Sequence, residues 1–354
     1  MKIDNDVKLD FGDVLIRPKR STLSSRREVA VTRKFKFKHS GQEWEGVPIV
    51  SSNMDTVSSV EMFNSLSRHK CITCFHKYIN IYEVIRLIDE NRKAEGTVDS
   101  NYFMLSTGIS NDDFDKLVAD VKALDDAKIR THFICIDVAN GYMFKLLEFC
   151  KRVRRMFPKV TLVAGNVVTR EIVEELIING GIDIIKVGIG SGAVCTTRLQ
   201  TGVGMPQLSA VMECADAAHG LGGMIISDGG ACYPGDVSKA FGGGADFVML
   251  GSMLAGHDEC PGEIVEEDGE QYKLFYGMSS DTAMNKHHGG VATYRSSEGK
   301  TVKIKFKGSV NDTIQNILGG VRSTCTYVGA KNIKDLHKCA TFIRVNRQLN
   351  TFYK

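Results

Sequence analysis

Eight short apolar, β-rich runs recur along the chain, and helix-period segments lie between them; this alternation limits the possible fold more than any other feature. The runs are Val47–Val50, Cys71–Phe75, Phe103–Ser106, Phe133–Val138, Thr161–Ala164, Asp183–Val187, Met224–Ser227 and Phe247–Leu250. Between them, apolar residues repeat at helical spacing: Ile81, Val84, Ile85 and Ile88; Phe114, Leu117, Val118 and Val121; Ile172, Val173, Leu176 and Ile177; Leu208, Val211, Met212 and Ala215. Ser110 with Asp113 reads as a capping box, Thr169 as an N-cap, and Gly180 and Gly220 as residues just past helix ends. Strands that are apolar along their whole length need helices on the outside, which predicts a parallel α/β fold.

A (β/α)8 barrel fits the count and needs about 250 residues. The expected organisation is a single barrel domain over residues 1–354, with an N-terminal leader up to Gly46 and an insertion after the eighth strand. That insertion, residues 257–308, carries ECPGE, EEDGE and HHGG and reads as a polar lid over the barrel mouth. A doubly wound open sheet is the alternative, because GIGSGA matches the loose G-x-G-x-x-G/A pattern. Its context argues against it: the match comes late, and no strand ending in an acidic residue follows about 20 residues on.

At 43% hydrophobic and 25% charged, composition is ordinary for a globular chain. A net charge of +3 without a dominant basic block gives no footprint for nucleic acid or an anionic membrane. The nearest candidate, KIKFKG at Lys303 to Gly308, alternates like the wet face of a hairpin strand. Charged residues crowd the first ten positions and no run of about 18 apolar residues occurs, which predicts a cytosolic chain. Its ten cysteines are then expected as thiols. The CxxC of Cys71 and Cys74 sits inside CITCF and reads as buried strand rather than metal or redox pair.

In such a barrel, chemistry collects at the carboxyl ends of the strands. After the sixth run comes GIGSGAVCTTR, where Gly188, Gly190 and Gly192 free the backbone and Cys195 is followed by Thr196, Thr197 and Arg198. A thiol of ordinary pKa near 8.5 needs about 2 kcal/mol to ionise at pH 7, which one charge-assisted hydrogen bond supplies. Arg198 is placed to give that bond, or to pair with a carboxylate on a neighbouring loop. The alternative for Cys195 is an inert buried thiol. Thr197 is a weak proton carrier unless a real base abuts it. The loops SDGG, Ser227 to Gly230, and LGS, Leu250 to Ser252, follow the seventh and eighth runs and suit a phosphate. Asp228 suits a ribose diol or, alternatively, a helix cap.

GIGSGAVCTTR, TGVGMPQLSAV, SDGG, ADFVMLGS, FYGMSS and YRSSEGK, with NMDTV at Asn53 to Val57, resemble the inosine monophosphate (IMP) dehydrogenase and guanosine monophosphate (GMP) reductase family, over nearly the whole chain and in one order. Three features resemble the reductase branch. Only Ile79 to Val98 stands where dehydrogenases usually carry a regulatory domain of the CBS type, CTTR replaces CITQ, and Tyr294–Arg295 runs directly into SSEGK without the longer flap.

The resemblance implies reductive deamination of GMP to IMP by NADPH, with Cys195 attacking purine C2 and Thr197 with Glu298 moving the proton. It implies GMP contacts at Asp228, Gly229, Gly230, Gly251, Ser252, Gly277, Met278, Ser279, Arg295, Ser296, Ser297, Glu298 and Gly299. For NADPH it implies Asp137, Val138, Ala139, Ile189, Gly190, Met278, Tyr294 and Arg295. Ser25, Arg26, Lys77, Ser323, Thr324, Cys325 and Thr326 complete that site, partly from a neighbouring subunit of a homotetramer. Potassium is implied at the Gly190, Gly192 and Cys195 carbonyls, beside Arg198. Ser191 stands where the reductases commonly have proline, Met205 where they have tyrosine, and Ser252 where they have a second glycine. An NAD-dependent IMP dehydrogenase and a catalytically silent purine-nucleotide-binding barrel are the competing readings.

Overall fold

In a computed structural model, which describes residues 3–93, 98–289 and 296–346, the eight runs form a closed parallel barrel. Its strands are β1 (Ile49–Ser51), β2 (Ile72–Phe75), β3 (Phe103–Thr107), β4 (Phe133–Asp137), β5 (Thr161–Val167), β6 (Ile184–Val187), β7 (Met224–Asp228) and β8 (Phe247–Leu250). They pair in chain order, and β8 closes on β1 with Val248 beside Ile49. Closure rules out the open doubly wound sheet.

Helices α1 (Val60–Arg68), α2 (Ile81–Lys93), α3 (Asn111–Asp126), α4 (Phe144–Met156) and α5 (Arg170–Ile178) follow the first five strands. A short α6 (Thr197–Thr201) and α7 (Gln207–Gly220) follow β6, α8 (Pro234–Gly242) follows β7, and α10 (Val310–Val328) closes the series. Each long helix turns its apolar stripe inward, as Leu117, Val121 and Leu124 do in α3. The capping box of Ser110 and Asp113 is present. Thr169 occupies the N-cap of α5, but its side chain makes no capping bond; its hydroxyl faces Tyr142 at 3.1 Å instead. The left-handed turns fall one or two residues after the glycines expected there, at Gly181 (φ 67°) and Gly222 (φ 72°).

The leader contributes an antiparallel hairpin, Arg33–Lys36 with Glu43–Gly46, that closes the amino-terminal end of the barrel. Phe35 stacks on Phe247 at 4.4 Å, and Phe37 and Trp44 meet Phe133 edge-on at 5.7 and 5.9 Å. Earlier in the leader, Val14–Ile16 pairs with Phe342–Arg344 near the end of the chain. Cys74 on β2 and Cys71 just before it are buried free thiols.

Between β8 and α10 the chain builds a small antiparallel sheet, β9 (Val265–Glu267), β10 (Glu270–Tyr276) and β11 (Thr301–Lys305), and a helix α9 (Asp281–His288). β11 alternates exposed and half-buried residues, so Lys303 and Lys305 of KIKFKG face solvent, while Lys307, past the strand, turns its Nζ back to the Ser252 and Met253 carbonyls at 3.1 and 3.3 Å. Asp55, after β1, ties α9 down: its Oδ2 accepts from His287 (2.6 Å) and Tyr276 (3.1 Å) and pairs with Lys286 (3.0 Å). Burial works to raise this carboxyl's pKa, but these three partners outweigh it and hold the pKa below the usual range.

At the opposite end, Asp183 precedes β6 with no exposed side-chain surface and accepts from the Arg154 guanidinium (2.6 Å) and the amides of His39, Ser40 and Leu162 (2.7, 3.1 and 3.0 Å). Removing one partner of such a cluster strands the others, so Asp183→Ala is expected to lower stability by about 3–5 kcal/mol. Urea unfolding measures that loss, while turnover per folded molecule stays unchanged because the residue lies far from the barrel mouth.

Candidate functional site at the barrel mouth

A cavity of about 260 Å³ opens at the carboxyl ends of the strands, within reach of the size expected for a small-ligand pocket. Asn53, Asp137, Asn166, Lys186, Cys195, Thr197, Asp228 and Glu298 are among its lining residues. They come from the ends of β1, β4, β5, β6 and β7, the loop after β6, and the segment between β8 and α10.

The loop after β6 needs its glycines. Gly188 has φ 151°, and a Cβ there would meet the Asp228 carbonyl at 1.9 Å. Gly190 has φ 78°. Ser191 fixes the loop through its hydroxyl, which donates to Gln207 Oε1 at 2.8 Å, while Gln207 Nε2 donates to the Val187 carbonyl at 2.9 Å. The loop therefore has a hydrogen-bonded anchor to buried Gln207 where a proline would have supplied stiffness.

Cys195 Sγ donates to Thr197 Oγ1 at 3.2 Å, and Thr197 Oγ1 donates to Glu298 Oε2 at 2.7 Å. Thiol, hydroxyl and carboxylate thus form one chain. Backbone pairing aligns it: the Thr196 amide donates to the Glu298 carbonyl and the Lys300 amide to the Val194 carbonyl, both at 2.9 Å. On its other side the Glu298 amide donates to the Ser279 carbonyl at 3.2 Å. Residues 298–300 are consequently held between the cysteine loop and the 277–280 turn, the packing that brings the Glu298 carboxylate to the Thr197 hydroxyl.

Arg198 does not stabilise the thiol. Its guanidinium turns to Asp10 in the leader (3.1 and 3.4 Å) and to the Met205 carbonyl (2.8 Å), the alternative pairing with a carboxylate. Asp228 caps no helix, since α8 has Tyr233 at its N-cap with Asp236 bonding back to it. It accepts instead from Lys186 Nζ (2.6 Å) and Asn166 Nδ2 (2.9 Å).

Gly277, Met278 and Ser279 line the cavity with Val138, Ala139, Ile189, Gly190 and Gly192. Gly229, Gly230, Gly251 and Ser252 do not line it; they sit on the loops after β7 and β8, where Gly229 and Gly230 have φ 97° and 80°. Ser297 Oγ donates to the Gly299 carbonyl at 3.0 Å, and Ser296 Oγ, exposed, to Gln200 at 3.2 Å. Tyr294 and Arg295 lie outside the described residues.

A second cavity of about 350 Å³ shares the wall of Asn53, Asp137, Val138, Ala139, Met278 and Ser279 and runs on to His76, Lys77, Tyr78 and Gly108. Lys77 pairs there with Asp113 at 3.0 Å. Ser25, Arg26 and Thr326 line a separate cavity with Tyr327. Within one chain, therefore, Lys77 and Arg26 do not meet. Cys325 is fully buried and Thr324 bonds Ser238 at 2.9 Å, so neither side chain faces that cavity. Ser323 Oγ is turned back to the Gly319 carbonyl at 3.0 Å.

Lys186 and Asn166 belong to the site but were not singled out from the sequence. A lysine inside the apolar strand IIKV was the available signal, since a buried ammonium needs carboxylate partners.

The chain matches the sequence model of the IMP dehydrogenase / GMP reductase domain over residues 8–349. It is 58% identical over 353 residues to the proteins named GMP reductase from Photobacterium profundum, Vibrio cholerae serotype O1 and Salmonella paratyphi B. Each alignment covers 100% of this chain and 99% of the relative. With a closed barrel, a thiol–hydroxyl–carboxylate chain at its mouth and full-length relatives of this kind, the chain belongs to the IMP dehydrogenase / GMP reductase family.

Proposed function

We propose that this chain catalyses reductive deamination of GMP to IMP by NADPH, with release of ammonia, through a covalent bond between Cys195 and purine C2. The observation that carries this reading is the hydrogen-bonded chain from Cys195 through Thr197 to Glu298. The names of the full-length relatives support the substrate.

Cys195 Sγ attacks C2 while its proton passes through Thr197 to Glu298. The protonated glutamic acid returns that proton by the same path to the amine on C2, which leaves as ammonia. The C2–N bond is broken and a C2–S bond formed, with atoms balanced. Bound NADPH would supply a hydride to C2, after which the C2–S bond would break and the Cys195 thiolate would take a proton from water. Thr197 is suited to this relay because one hydroxyl accepts from the thiol and donates to the carboxylate at once. Asp228 is the acceptor for the ribose hydroxyls, the glycine loops after β7 and β8 take the phosphate, and the segment carrying Glu298 acts as a lid.

The nicotinamide belongs in the space bounded by Asp137, Val138, Ala139, Ile189 and Met278, continuing into the cavity at Lys77. The separate Ser25–Arg26 cavity fits an adenosine end only from a second copy of the chain, in keeping with a homotetramer. The carbonyls of Gly190, Gly192 and Cys195 suit a hard monovalent cation such as potassium; the Gly192 carbonyl, which accepts from the Cys195 amide at 3.0 Å, would use its second lone pair. The setting of this activity is the cytosol, where it returns guanine nucleotide to IMP in purine salvage.

Mixing GMP, NADPH and protein is expected to deplete absorbance at 340 nm and yield IMP, and Cys195→Ala to abolish that depletion; NADH formation from IMP and NAD in its place would overturn the reading. Thr197→Val and Glu298→Gln are each expected to lower kcat by about 10²–10⁴-fold, with little change in GMP affinity by calorimetry. An unchanged kcat in either variant would remove the relay from the mechanism.

A further inference from the structure

We infer that Lys186 is a positioning residue that joins the two halves of the site, fixing Asp228 as an acceptor on the nucleotide side and Asp137 on the cofactor side. This inference rests on the function proposed above. Lys186 is the third residue of β6 and is 3% exposed. Its Nζ lies 2.6 Å from Asp228 Oδ2 and 2.9 Å from Asp137 Oδ1, so one ammonium spans the ends of β7 and β4 across the barrel. Asp228 lines the cavity that holds Cys195, while Asp137 lines both that cavity and its neighbour.

The remaining donors fit the same purpose. Asn166 Nδ2 bonds Asp228 Oδ2 at 2.9 Å, and Asn53 Nδ2 bonds Asp137 Oδ2 at 2.7 Å. Both donors to Asp228 take Oδ2, and neither uses Oδ1. The carboxylate is thereby held from one side with an oxygen to spare for a ligand.

A strand position facing a barrel core is ordinarily filled by an apolar residue, and a buried ion pair is weak ground for stability. What the ammonium supplies here is a charge state. Two carboxylates close together at the half-buried cavity wall, 31% and 22% exposed for Asp137 and Asp228, repel each other, and without a cation between them that repulsion favours a shared proton. Burial works against the charge on Lys186, but Asp137 and Asp228 outweigh it and raise its pKa well above the ordinary value. Among the described residues, the other titratable groups that act on this cluster are Cys135 on β4, Cys74 on β2 and Lys77, which acts on Asp137 from the loop after β2.

The test compares wild type with Lys186→Met, Lys186→Gln and Lys186→Arg, each checked for folding, between about pH 6 and pH 9. KM is measured for GMP and NADPH, and GMP binding by calorimetry. In the uncharged variants both KM values are expected to rise about 10- to 100-fold, more than kcat falls. Relative to wild type, the deficit is deepest near pH 6 and shrinks toward pH 9, as the shared proton leaves the carboxylate pair. Lys186→Arg restores most of the loss and a flat ratio across pH. Unchanged KM values, or a deficit of constant size at every pH, would overturn the inference. So would failure of both uncharged variants to fold, which would make Lys186 a structural ion pair only. If wild type itself does not turn over GMP with NADPH, the proposed function falls, while the calorimetric arm still reads the Lys186 claim for nucleotide binding.

Discussion

Everything at the barrel mouth depends on a short piece of backbone pairing, between Val194–Thr196 in the loop after β6 and Glu298–Lys300 in the segment before β11. A threonine hydroxyl beside a thiol does little alone, because its own pKa is far from neutral. Two amide–carbonyl bonds of 2.9 Å bring a carboxylate from about a hundred residues away to that hydroxyl. On the other side of Glu298–Lys300, glycine lets the 277–280 turn approach: a Cβ on Gly299 would stand 3.0 Å from the Ser280 amide nitrogen. Gly277, Met278 and Ser279, which line the cavity, and Glu298 thus belong to one piece of chain between β8 and α10.

Beneath that relay the floor of the cavity is polar in a way the barrel core is not. Asp137, Lys186, Asp228, Asn53 and Asn166 form one hydrogen-bonded set at the carboxyl ends of β1 and β4–β7, on the same inward face as the apolar Ile184, Ile226 and Val163. Stability is built at the other end. The aromatic hairpin of the leader and the Arg154–Asp183 cluster close the amino-terminal face, leaving the opposite face free to carry unpaired oxygen atoms and a half-exposed thiol.

The barrel was legible because all eight strands are mostly apolar and recur at helix-length intervals, and Phe247–Leu250 matches its expected span residue for residue. Strand ends were harder. Thr161–Ala164 continues to Val167 through an irregularity at Asn166, where polar side chains hide the strand signal. Cys195, Thr197 and Asp228 were singled out from their places on strand-end loops and Glu298 only through family resemblance, because nothing local marks a glutamate in a polar segment; the fold brings all four to one cavity. Arg198 shows the limit of proximity in sequence: three residues from the thiol, it is claimed by Asp10 of the leader, a pairing that only the fold brings about. Lys77 and Arg26 illustrate the same limit, since one chain places them in separate cavities.

The central claim is that Cys195 bonds covalently to purine C2. Incubating the protein with IMP and NADP⁺ in the absence of ammonia runs the hydride step backwards and leaves the adduct no amine to complete the reversal. Acid quenching and peptide mass spectrometry are expected to find the purine nucleotide attached to the peptide that contains Cys195, and none with Cys195→Ser. An unmodified Cys195 peptide from protein that turns over GMP with NADPH would contradict the account.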